Sequence, residues 1–247
     1  MRTNELQNKR SLLQKAVRYG DVELMNSVFN ELWEIDKTWL KHRTYVIACE
    51  ECYPVLNLKL SNPREILEAT TNSVKNREAA GLGSLIYNNN EILVKSYENE
   101  YLYKASKSGL PWDKKFIEAA EFLLRTNSNI PNKASKKLKC ENWIAIDGHT
   151  DDGKKALNII STKYNITYAK LKLGHFLTIG GAVNEVEDSF YWKKSVSAKM
   201  QNVNTSVKEI LEIEQLLRNE LPTIINWTYE LPLSLFENSQ SKQTHKI

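Results

Sequence analysis

The chain has 247 residues, 41% of them hydrophobic and 26% charged, which excludes a disordered or fibrous protein and suffices for one sizeable core or two small ones. Lys and Arg number 34 against 30 Asp and Glu, and the resulting net charge of +4 permits contact with DNA without demanding it. No apolar run approaches the roughly 20 residues of a membrane helix, the opening MRTNELQNKR is polar where a secretory signal would be apolar, and three cysteines cannot build a disulfide framework. The expectation is a cytoplasmic protein.

Apolar residues recur at spacings of three and four between the few glycines and prolines, which predicts an all-α helical bundle. The first helix carries Leu6, Leu13, Ala16 and Val17 on one stripe and stops at Gly20. Asp21 caps a second helix with Val22, Met25, Phe29, Leu32 and Trp33, and a third runs from about Asp36 to Pro54. Asn62 and Pro63 are an N-cap and a first-turn proline for a fourth helix ending near Val74. Two more are expected around Glu78 to Tyr87 and Glu91 to Ser106, and another from Trp112 to about Asn127. The stretch NSNIPNKASKKLK, Asn127 to Lys139, holds four lysines and reads as an exposed loop or arm. Trp143 to Ile146 is the one β-like run. Helical patterns resume at Thr150, at Ile166 to Thr178, at Val186 to Met200 and at Val207 to Leu221, and the tail from Phe236 is polar and frayed. The expected organisation is a collar-like helical part over 1–126, a lysine-rich loop over 127–142, a second helical part over 143–235 and a flexible tail over 236–247.

Several strings invite a chemical reading. Gly148 to Lys155, GHTDDGKK, has the glycine and lysine spacing of a phosphate-binding loop. Lys155 replaces the hydroxyl that should hold magnesium, Asp151 and Asp152 put negative charge where amides must meet phosphate, and the helical remainder leaves no room for a parallel sheet. An N-cap at Thr150 with carboxylates in the first turn explains the same residues. Asp147, His149, Asp151 and Asp152 are four possible metal ligands within six residues, to which His175, Glu185, Glu187 or Asp188 could add; a metal-dependent hydrolase centred there is the alternative function. Cys49 and Cys52 form a CxxC inside a helical segment, where residues three apart share one face and pack into a core; a zinc site would need His42 or Cys140 as well. Glu50 and Glu51, with Lys41, His42 and Arg43, read as a charged face. Gly81-Leu-Gly83-Ser84 has half of a dinucleotide fingerprint but no preceding strand, so close helix packing is the better account. For nucleic acid the candidates are Lys133, Lys136, Lys137 and Lys139 in the loop, and Tyr191, Trp192, Lys193 and Lys194, with Lys199, on a later helix. Aromatics beside lysines can stack on unpaired bases while the charges neutralise phosphates.

SLLQKAVRYGDVELMNSVFNEL (Ser11 to Leu32), TWLKHRTYVIACEECYPV (Thr38 to Val55) and NREAAGLGSLIYN (Asn76 to Asn88) together resemble the helical C-terminal collar behind the ATPase module of clamp-loader-related AAA+ proteins, especially the Werner-helicase-interacting, replication-associated recombination class. The resemblance covers about one third of the chain and rests on helix-packing patterns. It implies an oligomerisation collar from a DNA replication or repair machine, acting in assembly rather than hydrolysis. With the resemblance starting near the beginning of the chain, the expectation is a relative without the ATPase module, acting as an adaptor or non-ATPase subunit. No catalytic residue and no cofactor is expected. The expected partners are copies of the same chain or an ATPase or replication subunit, together with DNA. High asparagine and lysine usage fits an AT-rich source such as a phage. A third class, a viral protein-binding inhibitor module, stays open beside these.

Overall fold

A computed structural model of the chain describes residues 3–87, 112–126, 133–181 and 189–230. The helix expected over 91–106, the start of the lysine-rich stretch, Glu185, Glu187, Asp188 and the tail lie outside the described residues. Those residues form ten α-helices and no strand, an all-α bundle as the periodicity predicts.

Local chemistry sets the boundaries. α1 (Thr3–Tyr19) stops at Gly20, whose φ of 73° is the left-handed conformation that glycine adopts without penalty. Asp21 then caps α2 (Val22–Ile35) by accepting from the Leu24 amide at 3.0 Å, while its other carboxylate oxygen accepts from the Cys140 amide at 3.0 Å. One side chain thus starts a helix and ties a distant segment to it. Asp36 caps α3 (Lys37–Cys52) through the Trp39 amide at 2.9 Å. A 3-10 turn at Tyr53–Leu58 follows, and Asn62 caps α4 (Pro63–Asn72) with Pro63 in its first turn. α5 (Glu78–Tyr87) and α6 (Trp112–Thr126) come next.

The run Trp143 to Ile146, expected to be β-like, is a 3-10 turn over Asn142–Ala145 instead. Its amides are satisfied locally, Ile144 N donating to Glu141 O at 3.0 Å and Ile146 N to Trp143 O at 3.1 Å. Without a neighbouring strand to pair with, a turn is the conformation that buries Ile144, Ala145 and Ile146 while satisfying their backbone. Thr150 caps α7 (Asp151–Tyr164) through the Gly153 amide at 3.1 Å, and Thr167 caps α8 (Tyr168–Leu177). α9 (Phe190–Asn202) precedes α10 (Val207–Glu230), which runs on through Pro222 beyond the end expected near Leu221.

Two apolar clusters hold the helices together. The larger takes Leu12, Leu13, Ala16 and Val17 from α1, Met25, Phe29 and Leu32 from α2, Ala156, Leu157 and Ile160 from α7, and Ile213, Leu217 and Leu221 from α10. Residues from both sides of the 127–142 stretch therefore share one core. The smaller joins Cys49 and Tyr53 to Ala79, Leu82 and Ile86 of α5 and Ala119, Ala120 and Leu123 of α6. The glycines of α5 are what allow this: a Cβ on Gly81 would lie 2.2 Å from the Trp192 backbone nitrogen, and one on Gly83 would lie 2.6 Å from the Phe116 ring. The small-residue string is helix packing, as its sequence context indicates.

Candidate functional site

Between these two cores lies a cavity of about 380 Å³. It is walled by α1, the two ends of α3, α5, the turn before α7 and the inner face of α9. Six cations line it, Arg10, Lys15, Arg18, Arg43, Arg77 and Lys199, against three carboxylates, Glu50, Glu51 and Asp147. Trp39, Phe116, Phe176 and Trp192 supply aromatic wall.

The charges are organised around two buried acids. Glu51 is fully buried in α3 and accepts from Arg18 Nε at 3.0 Å, from Gln14 at 3.1 Å and from Arg77 at 3.4 Å. Burial alone would raise the Glu51 carboxyl, but Arg18 and Arg77 outweigh it and hold the group well below its usual range. Arg18 also donates to the carbonyl of Gly180, fixing the loop after α8. Burial pushes Arg77 down to about 10, with Glu51 opposing the shift. Asp147, 5% exposed, accepts from Lys15 Nζ at 2.8 Å, from the His149 amide at 2.8 Å and from the His149 ring at 3.2 Å. Against the cost of burial, Lys15 and then His149 keep it well below the carboxylate norm. Glu50 pairs with Arg43 at 3.2 Å.

The sequence pattern missed this cluster. Lys41 and His42 are exposed, as a charged face requires, but Glu51 points into the protein. The available signal was the placement of charge on apolar faces: Lys15 and Arg18 interrupt the stripe of α1, and Glu50 and Glu51 interrupt the apolar run of α3.

The possible metal ligands are engaged in other ways. Asp147 is committed to Lys15 and His149, Asp151 to Lys154 at 3.0 Å, and Asp152 accepts from Asn4 at 3.1 Å and Asn8 at 2.8 Å. Among the described residues no three His, Cys, Asp or Glu side chains converge as a metal would require. Gly153 of the loop-like string packs against the Asp147 carbonyl so tightly that a Cβ would fall 1.9 Å from the oxygen, which explains the glycine by packing. Cys49 and Cys52 are both buried, and burial pushes the Cys49 thiol up, out of the reactive range. Cys140 lies in the other cluster.

The nucleic-acid candidates fall on two separate elements. Lys133, Lys136, Lys137 and Lys139 are exposed on a strip pinned by its backbone, with Val74 N donating to Lys133 O at 3.1 Å and Leu138 N to Tyr19 O at 3.0 Å. On α9, Lys193 and Lys194 are exposed, whereas Tyr191 and Trp192 turn inward. Arg77 lies over the Trp192 ring at 5.0 Å, and Phe176 meets the same ring at 5.9 Å. The ring that α9 presents to solvent is Phe190, 58% exposed with Lys194 at 5.2 Å from its centroid. The helix phase, set by Gly81 packing on the Tyr191–Trp192 backbone, leaves those two rings half-buried, and Phe190, which the sequence reading did not single out, is the more exposed ring of the run.

No protein-family model, curated protein or solved structure matches the chain.

Proposed function

We propose that this protein is a non-catalytic accessory factor of DNA replication or repair, an adaptor of the collar type that assembles through apolar helix faces and contacts DNA through α9. The observation that carries the DNA part is the outer face of α9, where the exposed ring of Phe190 has the Lys194 ammonium 5.2 Å from its centroid and Lys193 is exposed on the same helix. An aromatic ring with an ammonium group beside it suits an unpaired base and its flanking phosphate. Assembly is supported by Val207 and Leu211, one turn apart on α10 and 66% and 58% exposed, an apolar pair with no partner among the described residues that covers it.

The test is fluorescence anisotropy with a labelled single-stranded oligonucleotide over a salt series, for the protein and for a Lys193→Glu, Lys194→Glu variant. The variant is expected to bind more weakly and with a shallower salt dependence, by about 0.7 in slope for each phosphate that is no longer neutralised. Identical titrations remove α9 from the DNA reading. Native mass spectrometry of the same samples reports the subunit count, and a strict monomer removes the collar part.

A further inference from the structure

The cavity carries an inference of its own, independent of DNA binding on the outer face of α9. Its cations exceed its acids, and the excess is concentrated at one end. Glu51 is shared by two guanidiniums, Arg18 and Arg77, while Glu50 and Asp147 are taken by Arg43 and Lys15. Lys199 has no carboxylate among the described residues: its ammonium donates to the hydroxyl oxygens of Ser84 and Ser195. With no acid to offset burial, the Lys199 ammonium is pushed down to about 8.

Arg77 has Glu51 for one of its terminal nitrogens and is short of a partner only at Nε. It is 2% exposed, and its Nε is buried with no hydrogen-bond acceptor among the described residues. A buried donor that lacks an acceptor is destabilising, more so when it is charged, so folded proteins rarely keep one without a use. The Nε of Arg10, at the opposite end, is likewise buried without an acceptor. An anion with several acceptor oxygens would complete these donors, and phosphate is the anion that charge-assisted donors on arginine and lysine match best.

The rest of the wall fixes what the phosphate is attached to. Trp192, Phe176 and Phe116 flank the Arg77 and Lys199 end, Trp39 lines the far side, and Ser84 and Gln14 add polar groups. Flat apolar walls with a few placed polar groups are the make-up of a small-molecule site, and about 380 Å³ lies within the usual range of about 300–1,000 Å³ for one. We propose that this cavity binds a nucleoside monophosphate, its phosphate held by Lys199, Arg77 and Ser84 and its base against the tryptophan and phenylalanine rings.

Isothermal titration calorimetry with AMP, GMP, CMP and UMP tests this on the full chain. At least one is expected to bind with one site per chain, and the matching nucleoside and inorganic phosphate alone to bind about tenfold more weakly or worse, because each makes only half of the contacts. Lys199→Gln is expected to weaken nucleotide binding about tenfold with the thermal midpoint retained, and Lys199→Arg to restore part of it. No saturable heat from any of the four nucleotides, or equal binding by the protein and by folded Lys199→Gln, overturns the proposal. Competition by a 5′-phosphorylated oligonucleotide would assign the natural source to a strand end, and its absence to the free nucleotide. Either result supports the site. Because Lys193 and Lys194 stay intact throughout, failure here leaves the α9 reading standing, and failure there leaves this one.

Discussion

Two regions of this protein carry much of its basic charge and treat it in opposite ways. The strip at 133–139 holds four exposed lysines, while the cavity holds six cations, of which Lys15, Arg18 and Arg77 are buried. In the strip each ammonium keeps its water, costs nothing to fold and is screened by salt. In the cavity each buried cation has given up its water and is tolerated only through Glu51, Asp147 and the hydrogen bonds around them. The same residue types are therefore nearly inert for stability in one place and decisive in the other.

The sharpest break of that comparison is Glu51→Gln. The change keeps the volume and most of the hydrogen-bond geometry but removes the charge that Arg18 and Arg77 share, leaving two buried guanidiniums facing each other. The expected loss is about 3–5 kcal/mol, the cost of stripping one partner from a buried ion pair, read as a lowered midpoint in urea unfolding. A loss below about 0.5 kcal/mol, the level typical of surface changes, would mean that the cavity is wet enough to solvate both guanidiniums.

Whether a region was legible in the sequence follows the same division. The helices were, because their signals are local: Asp21, Asp36, Asn62, Thr150 and Thr167 each cap a helix within three residues of themselves. The lysine strip was legible for the same reason. The cavity was not, since Arg18, Glu51, Arg77, Asp147 and Lys199 come from five separate elements and no spacing in the chain links them. The string of aspartates and a histidine at 147–152 drew attention because its members are adjacent, yet adjacency in a turn lets them satisfy one another and nearby amides. Asp147 matters through Lys15, 132 residues away.

Acid titration gives the next largest effect. His175 is 1% exposed, and burial pushes it from its ordinary value down to about 4, with Asp147 opposing and Lys15, His149 and Arg18 adding to the shift. The native state therefore refuses a proton that the unfolded chain takes up below about pH 6.5. Stability is complete above that value and declines as pH falls from about 6.5 to about 4, by on the order of 3 kcal/mol. Unfolding by urea at a series of pH values should show this slope, and His175→Gln should flatten it whatever the variant's absolute stability. An unchanged slope would place the titration elsewhere. Asp147 and Glu51, both held below their usual range, act in the same direction but only at lower pH, as each is forced to protonate.

The smallest effect belongs to the strip. Lys136→Glu together with Lys137→Glu reverses two charges that pair with no acid among the described residues, so the change in stability should stay within about 0.5 kcal/mol, small beside the loss expected for Glu51→Gln. What remains is long-range and screened: whatever shift is seen at low ionic strength should vanish as salt brings the Debye length to about 10 Å or less. A shift that persists in high salt would instead report a backbone effect. The strip is held by hydrogen bonds from Val74 to Lys133 and from Leu138 to Tyr19 on either side of the two lysines, and a perturbed side chain could act on stability only by loosening that anchorage. The contrast with Glu51→Gln then separates charge that folding must accommodate from charge left in water for a partner to use.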